Sequence, residues 1–182
     1  MRSLRDLEPG QELECFGTRD SQEADVFLLG ERVGILTGTP EGFESADGSW
    51  TVETRVQGGR PWWRSSRYTL IVTERARNAE VVHHEEIGWS LGSLWGLGAQ
   101  SPFVFAGGHA YIFGFIGRGF LKTTYVFQRK GTRVLTFTLP QWWRGGNKIR
   151  LVVTVGRDAR GAEDDLPILV LLGCRMMLAA VS

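Results

Sequence analysis

The chain has 182 residues, the size of a single ordinary domain, and its composition is 42% hydrophobic and 23% charged. These values exclude a disordered or low-complexity protein and predict a packed core. The formal net charge of +1 excludes a global field that would attract nucleic acid or acidic lipid to the whole surface, so any electrostatic site must be local. We therefore expect one domain and no nucleic-acid partner.

Residues 1–25 are mostly polar and show no clear hydrophobic period, so they predict a loosely structured lead-in. The first ten residues lack the apolar stretch of a signal peptide. The two cysteines are Cys15 and Cys174, and the second lies in an apolar run, as is typical of a buried reduced thiol. These features favour a cytoplasmic protein.

Short apolar or alternating runs, separated by turn residues, follow this lead-in and predict β-strands. In one of them Trp50 and Val52 fall on one face and Glu53 and Arg55 on the other, which is the alternation of a half-buried strand. The predicted strands are 26–29, 33–36, 50–57, 68–73, 79–83, 103–105, 111–116, 123–128, 134–139 and 149–155. Roughly nine or ten short strands with frequent turns favour a barrel or a sandwich.

Residues 87–100 are rich in glycine and carry Trp89 and Trp95, a pattern that fits neither a helix nor a regular strand. We expect a long loop there. Either it is a flap that inserts its tryptophans into a membrane or over a pocket, or it closes one end of a barrel.

The segment 164–181 predicts a helix, because Asp164 and Asp165 are good N-cap residues and Pro167 suits a first helical turn. This helix is apolar nearly all round, so protein or lipid must enclose it. A membrane span needs about 20 apolar residues, whereas this run is shorter and carries Arg175 in its middle. We therefore favour a buried helix over a tail anchor.

A Trp-Trp-Arg pattern precedes a β-branched strand twice, which suggests two related halves. Aromatic rings beside guanidinium groups can hold lipid headgroups at an interface or stack bases. The alternative is that one tryptophan of each pair fills the core while the other packs under a turn. The candidate ligand-binding residues are Trp62, Trp63, Arg64, Arg67, Trp142, Trp143, Arg144 and Lys148, together with Trp89 and Trp95.

Strands through most of the chain, followed by a hydrophobic helix that ends it, resemble the tubby-like superfamily. This superfamily includes the C-terminal domains of tubby proteins, the LURP-one-related proteins and the phospholipid scramblases. The residues that carry the resemblance are the strand 149–155, the polar link 156–163, the helix start 165–171, the strand pairs around Tyr111, Phe113, Gly114 and 125–127, and the turn at Lys130 and Gly131. The resemblance implies a mainly β domain over 26–182, a closed barrel of about twelve strands around a buried C-terminal helix.

Few residues suggest catalysis or a metal. His83 and His84 are adjacent, so on a strand they face opposite sides, and each forms at most half a site with Glu85 or Glu86. His109 would have to complete such a site, and exposed strand residues are the simpler interpretation. No Gly-x-Ser-x-Gly elbow occurs. We expect no enzyme, no metal and no cofactor.

Three functions remain open. The first is a non-enzymatic tubby-like module that binds anionic lipid headgroups, a membrane surface or a protein partner, and that is cytoplasmic or peripheral at the membrane. The second is a barrel that binds a small apolar ligand, with or without enzymatic activity. The third is a structural or assembly protein, which a large exposed apolar patch would indicate. We favour the first.

Overall fold

The computed structural model describes residues 1–18, 23–38, 41–57, 66–88, 101–118, 122–140 and 148–179. Within them, twelve β-strands precede one short 3-10 helix and one α-helix. The strands are β1 Glu12–Thr18, β2 Ala24–Leu28, β3 Glu31–Thr37, β4 Gly42–Ser45, β5 Gly48–Gln57, β6 Ser66–Glu74, β7 Ala79–Gly88, β8 Phe103–Phe105, β9 Ala110–Arg118, β10 Lys122–Arg129, β11 Thr132–Pro140 and β12 Lys148–Val155. The 3-10 helix is Arg157–Ala159, and the α-helix, α1, is Leu166–Ala179.

Each strand pairs antiparallel with the next one along the chain, and β1 pairs with β12 to close the barrel. An even number of strands allows this closure to be antiparallel as well. Cys15 in β1, for example, lies opposite Leu151 in β12 on one side and Val26 in β2 on the other. The predicted fold class, a closed barrel of about twelve strands around a C-terminal helix, is confirmed.

Burial follows the alternation of the strands, and α1 fills the interior that they enclose. All thirteen residues from Leu166 to Leu178 are buried, as a helix that is apolar on every face requires. Glycines permit its closest approaches to the wall. A Cβ on Gly173 would clash with the ring of Phe137, and a Cβ on Gly34 would clash with Leu171. In the part of the chain that the structure describes, no helix is long and apolar enough to cross a membrane.

The barrel has two ends, which are defined by where α1 begins and ends. At the lower end, where α1 begins, lie the turns β2–β3, β4–β5, β6–β7, β8–β9 and β10–β11 and the link from β12 to the helix. At the upper end, where α1 ends, lie the C-terminal ends of the odd-numbered strands and the N-terminal ends of the even-numbered ones.

The structure differs from the predicted elements in three places. Residues 1–25 are not a loose lead-in throughout, because Glu12–Thr18 forms β1, the strand that closes the barrel. Its buried Leu13 and Cys15 alternate with the charged residues Glu12 and Glu14, but the run is too short and too polar to stand out in the sequence. The short strand β4 was also missed. The helix begins at Leu166 rather than at 164, with Asp165 as its cap.

Candidate functional site

Most of the predicted site residues lie outside the described part of the chain. These are Trp62, Trp63, Arg64, Trp89, Trp95, Trp142, Trp143 and Arg144. Arg67 and Lys148 are described, and both are exposed at the upper end. They belong to β6 and β12, which are six strands apart on a ring of twelve and therefore on opposite sides of the barrel. The structure places these two cations at the same end but does not bring them together.

Lys148 borders a groove of about 670 Å³ between β1, β2, β3 and β12. The same groove is lined by the carboxylates of Glu23 and Asp25 and by apolar side chains such as Phe16 and Ile35. Since charges of both signs face it, the described part of this groove offers no single-sign field for an anionic headgroup.

The two adjacent histidines of β7 do face opposite sides, as expected. His83 is on the outer face, with Nδ1 3.0 Å from Glu80 and Nε2 3.7 Å from Glu85. His84 was expected to be exposed, but it is buried on the inner face and stacks on the ring of Phe103. Among the residues that the structure describes, no three His, Cys, Asp or Glu side chains form a group that could hold a metal ion.

The surroundings of His84 disfavour its charged form. Its Nδ1 lies 3.3 Å from the carbonyl oxygen of Pro102, which can only accept, so Nδ1 carries the proton. Its Nε2 faces Oε2 of Glu86 at 3.4 Å. Burial is the main cause of a lowered pKa for His84, and it outweighs the opposing effects of Pro102 and Glu86.

At the lower end, Asp165 fixes the start of α1. Its carbonyl oxygen accepts from the backbone N–H of Leu169, which makes it the N-cap. Its carboxylate Oδ2 accepts the hydroxyl of Tyr111 at 2.7 Å and lies 2.7 Å from Nδ1 of His109. A carboxylate at a helix N-terminus also compensates the helix dipole. Burial, followed by the hydrogen bond to Asp165, raises the pKa of Tyr111.

Arg129 connects the cluster of Asp165, Tyr111 and His109 to the surface of the protein. Its guanidinium lies over the ring of Tyr111, 5.9 Å from the centroid, and its Nη1 donates to the carbonyl oxygen of Gly161 at 2.6 Å. The backbone N–H of Gly156 donates to the carbonyl oxygen of Val134 at 2.8 Å. The link between β12 and α1 is therefore held against the β10–β11 hairpin.

The β10–β11 hairpin and the link between β12 and α1 together bring cationic side chains to the lower end. We define the lower basic surface as Arg129, Lys130, Arg133, Arg157 and Arg160. Arg129 is half-buried, and the other four are exposed. Within the described residues, no ion pair joins those four to a carboxylate.

The carboxylates beside this surface do not neutralise it. They are Asp158, Glu163 and Asp165, the last bonded to the Tyr111 whose ring Arg129 covers, so five positive charges and three negative ones leave a local charge of +2, against +1 for the whole chain. The carboxylate of Glu163 accepts the backbone N–H of Gly161, and backbone hydrogen bonds lower its pKa. The neighbouring Asp164 is paired with Arg5 at 3.3 Å. The sequence analysis missed this surface.

The lower end also exposes an apolar tip. Leu29 is 87% exposed, which is the highest value among the large apolar residues that the structure describes. Leu29 and Gly30 both have positive φ, 51° and 82°, as in the type I′ turn that suits a two-residue hairpin. The tip therefore projects from a well-formed turn between β2 and β3.

No family model, curated protein or solved structure matches this chain. Membership of the tubby-like superfamily accordingly stays a prediction, and only the barrel with its enclosed helix is established.

Proposed function

We propose that this protein is a non-enzymatic β-barrel module that binds anionic phospholipid membranes through the lower basic surface. The supporting observation is the group of five cations whose neighbouring carboxylates leave a local charge of +2. Arg129 anchors this surface through Tyr111 and Gly161. A basic surface on a rigid scaffold loses little side-chain and loop entropy when it binds.

The expected contribution is measurable. A basic residue close to an anionic membrane contributes about 1 kcal/mol, so a net charge of +2 corresponds to about 2 kcal/mol. Since about 1.4 kcal/mol is a tenfold change in affinity, the surface would favour anionic over neutral membranes roughly 30-fold at low salt. Raised salt would weaken this preference, because exposed charges are screened within a Debye length of about 10 Å.

The apolar tip favours a membrane over a soluble polyanion. Leu29 is at the same end of the barrel as the basic cations, and apolar side chains that enter the headgroup region add to electrostatic binding. Binding of single-stranded nucleic acid would instead use exposed aromatic rings. In the described part of the lower end, no Trp, Tyr or Phe is among the exposed large apolar residues.

The alternatives have less support. A barrel that binds a small apolar ligand needs interior space, and α1 occupies the interior with thirteen buried residues. An assembly role needs a large exposed apolar patch, whereas the described outer wall of β8 and β9 exposes only Val104, Ile112 and Ile116 as large apolar residues, each by less than half.

The test is co-sedimentation with vesicles of phosphatidylcholine alone or mixed with phosphatidylserine, at low and raised salt. The variant Arg157→Gln/Arg160→Gln removes two exposed cations of the lower basic surface. We expect it to bind mixed vesicles roughly 30-fold more weakly, from two losses of about 1 kcal/mol each. The matched control, Arg67→Gln/Lys148→Gln, removes two exposed cations at the upper end and should bind like the wild type.

A third variant tests the apolar tip. Leu29→Asn keeps a residue that tolerates positive φ, so the turn is preserved while the apolar side chain is lost. We expect Leu29→Asn to bind mixed vesicles more weakly than the wild type at both low and raised salt, because the lost contribution is apolar rather than electrostatic. If no vesicle binds the wild type, the proposal is wrong. If only the upper-end control loses binding, the membrane surface lies at the upper end around Arg67 and Lys148 instead, and the lower basic surface is not the site.

A further inference from the structure

Two cysteines that are 159 positions apart in the sequence meet inside the barrel. Cys15 is on the inner face of β1 and Cys174 is on α1, and both have no exposed surface. Burial, followed by the neighbouring side chain of Cys15, raises the pKa of the Cys174 thiol. These two cysteines are the only ones in the chain.

The registers of α1 and β1 give an independent reason why Cys15 and Cys174 lie close together. Both β1 and α1 run from the lower end to the upper end. Leu178 contacts β1 at Gly17, with its Cδ2 3.1 Å from the position of a Cβ there. A position four residues before Leu178 lies about 6 Å lower along the helix. A position two residues before Gly17 lies about 6.6 Å lower along the strand. Those positions are Cys174 and Cys15, on the same helix face and the same strand face.

We propose that Cys15 and Cys174 form an internal oxidation site, at which a hydroperoxide converts the two thiols into a disulfide that joins the axial helix to the barrel wall. The two thiols belong to facing positions of α1 and β1 in the same core, so a disulfide would join neighbouring elements. A cross-link between such distant positions removes more freedom from the unfolded chain than a short-range one does.

The reaction balances with hydrogen peroxide as the oxidant. One thiol takes an oxygen atom from the peroxide to give a sulfenic acid, and water is released. The second thiol attacks that sulfur, the S–S bond forms, and a second water leaves. The two sulfur atoms together lose two electrons and two protons, and the peroxide is reduced to two waters. Burial raises the pKa of Cys174, which keeps it protonated, so we expect slow oxidation.

The test treats the folded protein with hydrogen peroxide, removes the peroxide with catalase, and then unfolds the protein in iodoacetamide. The expected result is the loss of both alkylation adducts, a mass lower by two hydrogens, and a linked peptide that contains Cys15 and Cys174. The melting temperature should rise by on the order of 10 °C and should return to its original value after reduction.

The single variants Cys15→Ala and Cys174→Ala are the matched controls, because each retains one thiol in the same core. In both variants, peroxide treatment should not raise the melting temperature. The proposal is overturned if the oxidised wild type still takes up two adducts, if its thiols carry only added oxygen, or if the cross-link joins two chains. This test is independent of membrane binding.

Discussion

The two ends of the barrel treat polar groups in different ways. At the lower end, the carboxylate of Asp165 is 12% exposed and is bonded to both Tyr111 and His109. At the upper end, Arg175 pairs at 2.8 Å with Glu41, a carboxylate that is 44% exposed. Also towards that end, Nε2 of the buried His84 makes no hydrogen bond to any described residue.

This difference indicates where the position of the helix is specified. A buried polar group must find its partner within the protein, and losing that partner costs about 1–3 kcal/mol, whereas an exposed one returns to water. The bonds of Asp165 therefore fix the start of α1. At the upper end, Leu178 packs on Gly17, and the ion pair of Arg175 with Glu41 can be replaced by hydration of Glu41.

The largest expected effect is at Asp165. In Asp165→Ala the hydroxyl of Tyr111 and the ring of His109 lose their carboxylate partner, and the helix N-terminus loses a compensating charge, so we expect the free energy of unfolding to fall by about 3 kcal/mol. The neighbour Asp164 is 85% exposed, and Asp164→Ala should leave stability nearly unchanged. Urea unfolding measures both variants. Equal effects would show that Asp165 is no more than a surface charge.

If Asp165→Ala does not fold, Asp165→Asn keeps one oxygen acceptor and should destabilise the protein by a smaller amount. The two variants together separate the loss of negative charge from the loss of the acceptor.

Strand alternation and an all-apolar helix are local patterns, so the sequence predicted most of the strands and the helix, whereas their arrangement as a closed barrel was implied by the resemblance to the tubby-like superfamily. Ten of the twelve strands were recognised. The two that were missed, Glu12–Thr18 and Gly42–Ser45, carry weak patterns, because the first is interrupted by charge and the second has four residues. The strand β1, which closes the barrel, is recognisable only once β12 is known to need a second pairing partner.

The lower basic surface was not predictable for a different reason. Lys130 and Arg133 lie on one hairpin, and Arg157 and Arg160 lie in the link after β12. Each stretch by itself is an ordinary polar turn. They meet because β11 pairs with β12 and Gly161 bonds to Arg129, which is long-range information. The buried state of His84 was likewise hidden, since its inner-face position depends on the register of β7.

His84 provides a second comparison, between the inner and outer faces of β7, through the pH dependence of stability. Its pKa is below the ordinary value of about 6.5, so between the two values the unfolded chain binds a proton that the folded chain does not. Stability therefore falls as the pH decreases through this window, by up to about 1.4 kcal/mol for each pH unit. Below the folded pKa the loss is complete and does not grow further.

The measurement is the free energy of unfolding of wild type and His84→Gln at about pH 7.5 and about pH 5.5. The wild type should lose more stability than the variant on acidification. His83→Gln is the matched control, since His83 is the adjacent residue on the outer face, with its side chain 41% exposed, and its pH dependence should follow that of the wild type. If His84→Gln also follows the wild type, burial of His84 does not control stability in this range.

The smallest expected effect is at Arg175, and it tests directly whether the upper end is the less constrained one. Arg175→Met keeps a long side chain in the core and removes the bonds to Glu41 and to the carbonyl oxygen of Thr37. A buried pair can be replaced by an apolar residue at little cost when the remaining partner is hydrated. We expect the free energy of unfolding to change by less than about 1 kcal/mol, as measured by urea unfolding. A loss as large as that of Asp165→Ala would mean that both ends fix the helix equally, and the contrast between them would then have to be abandoned.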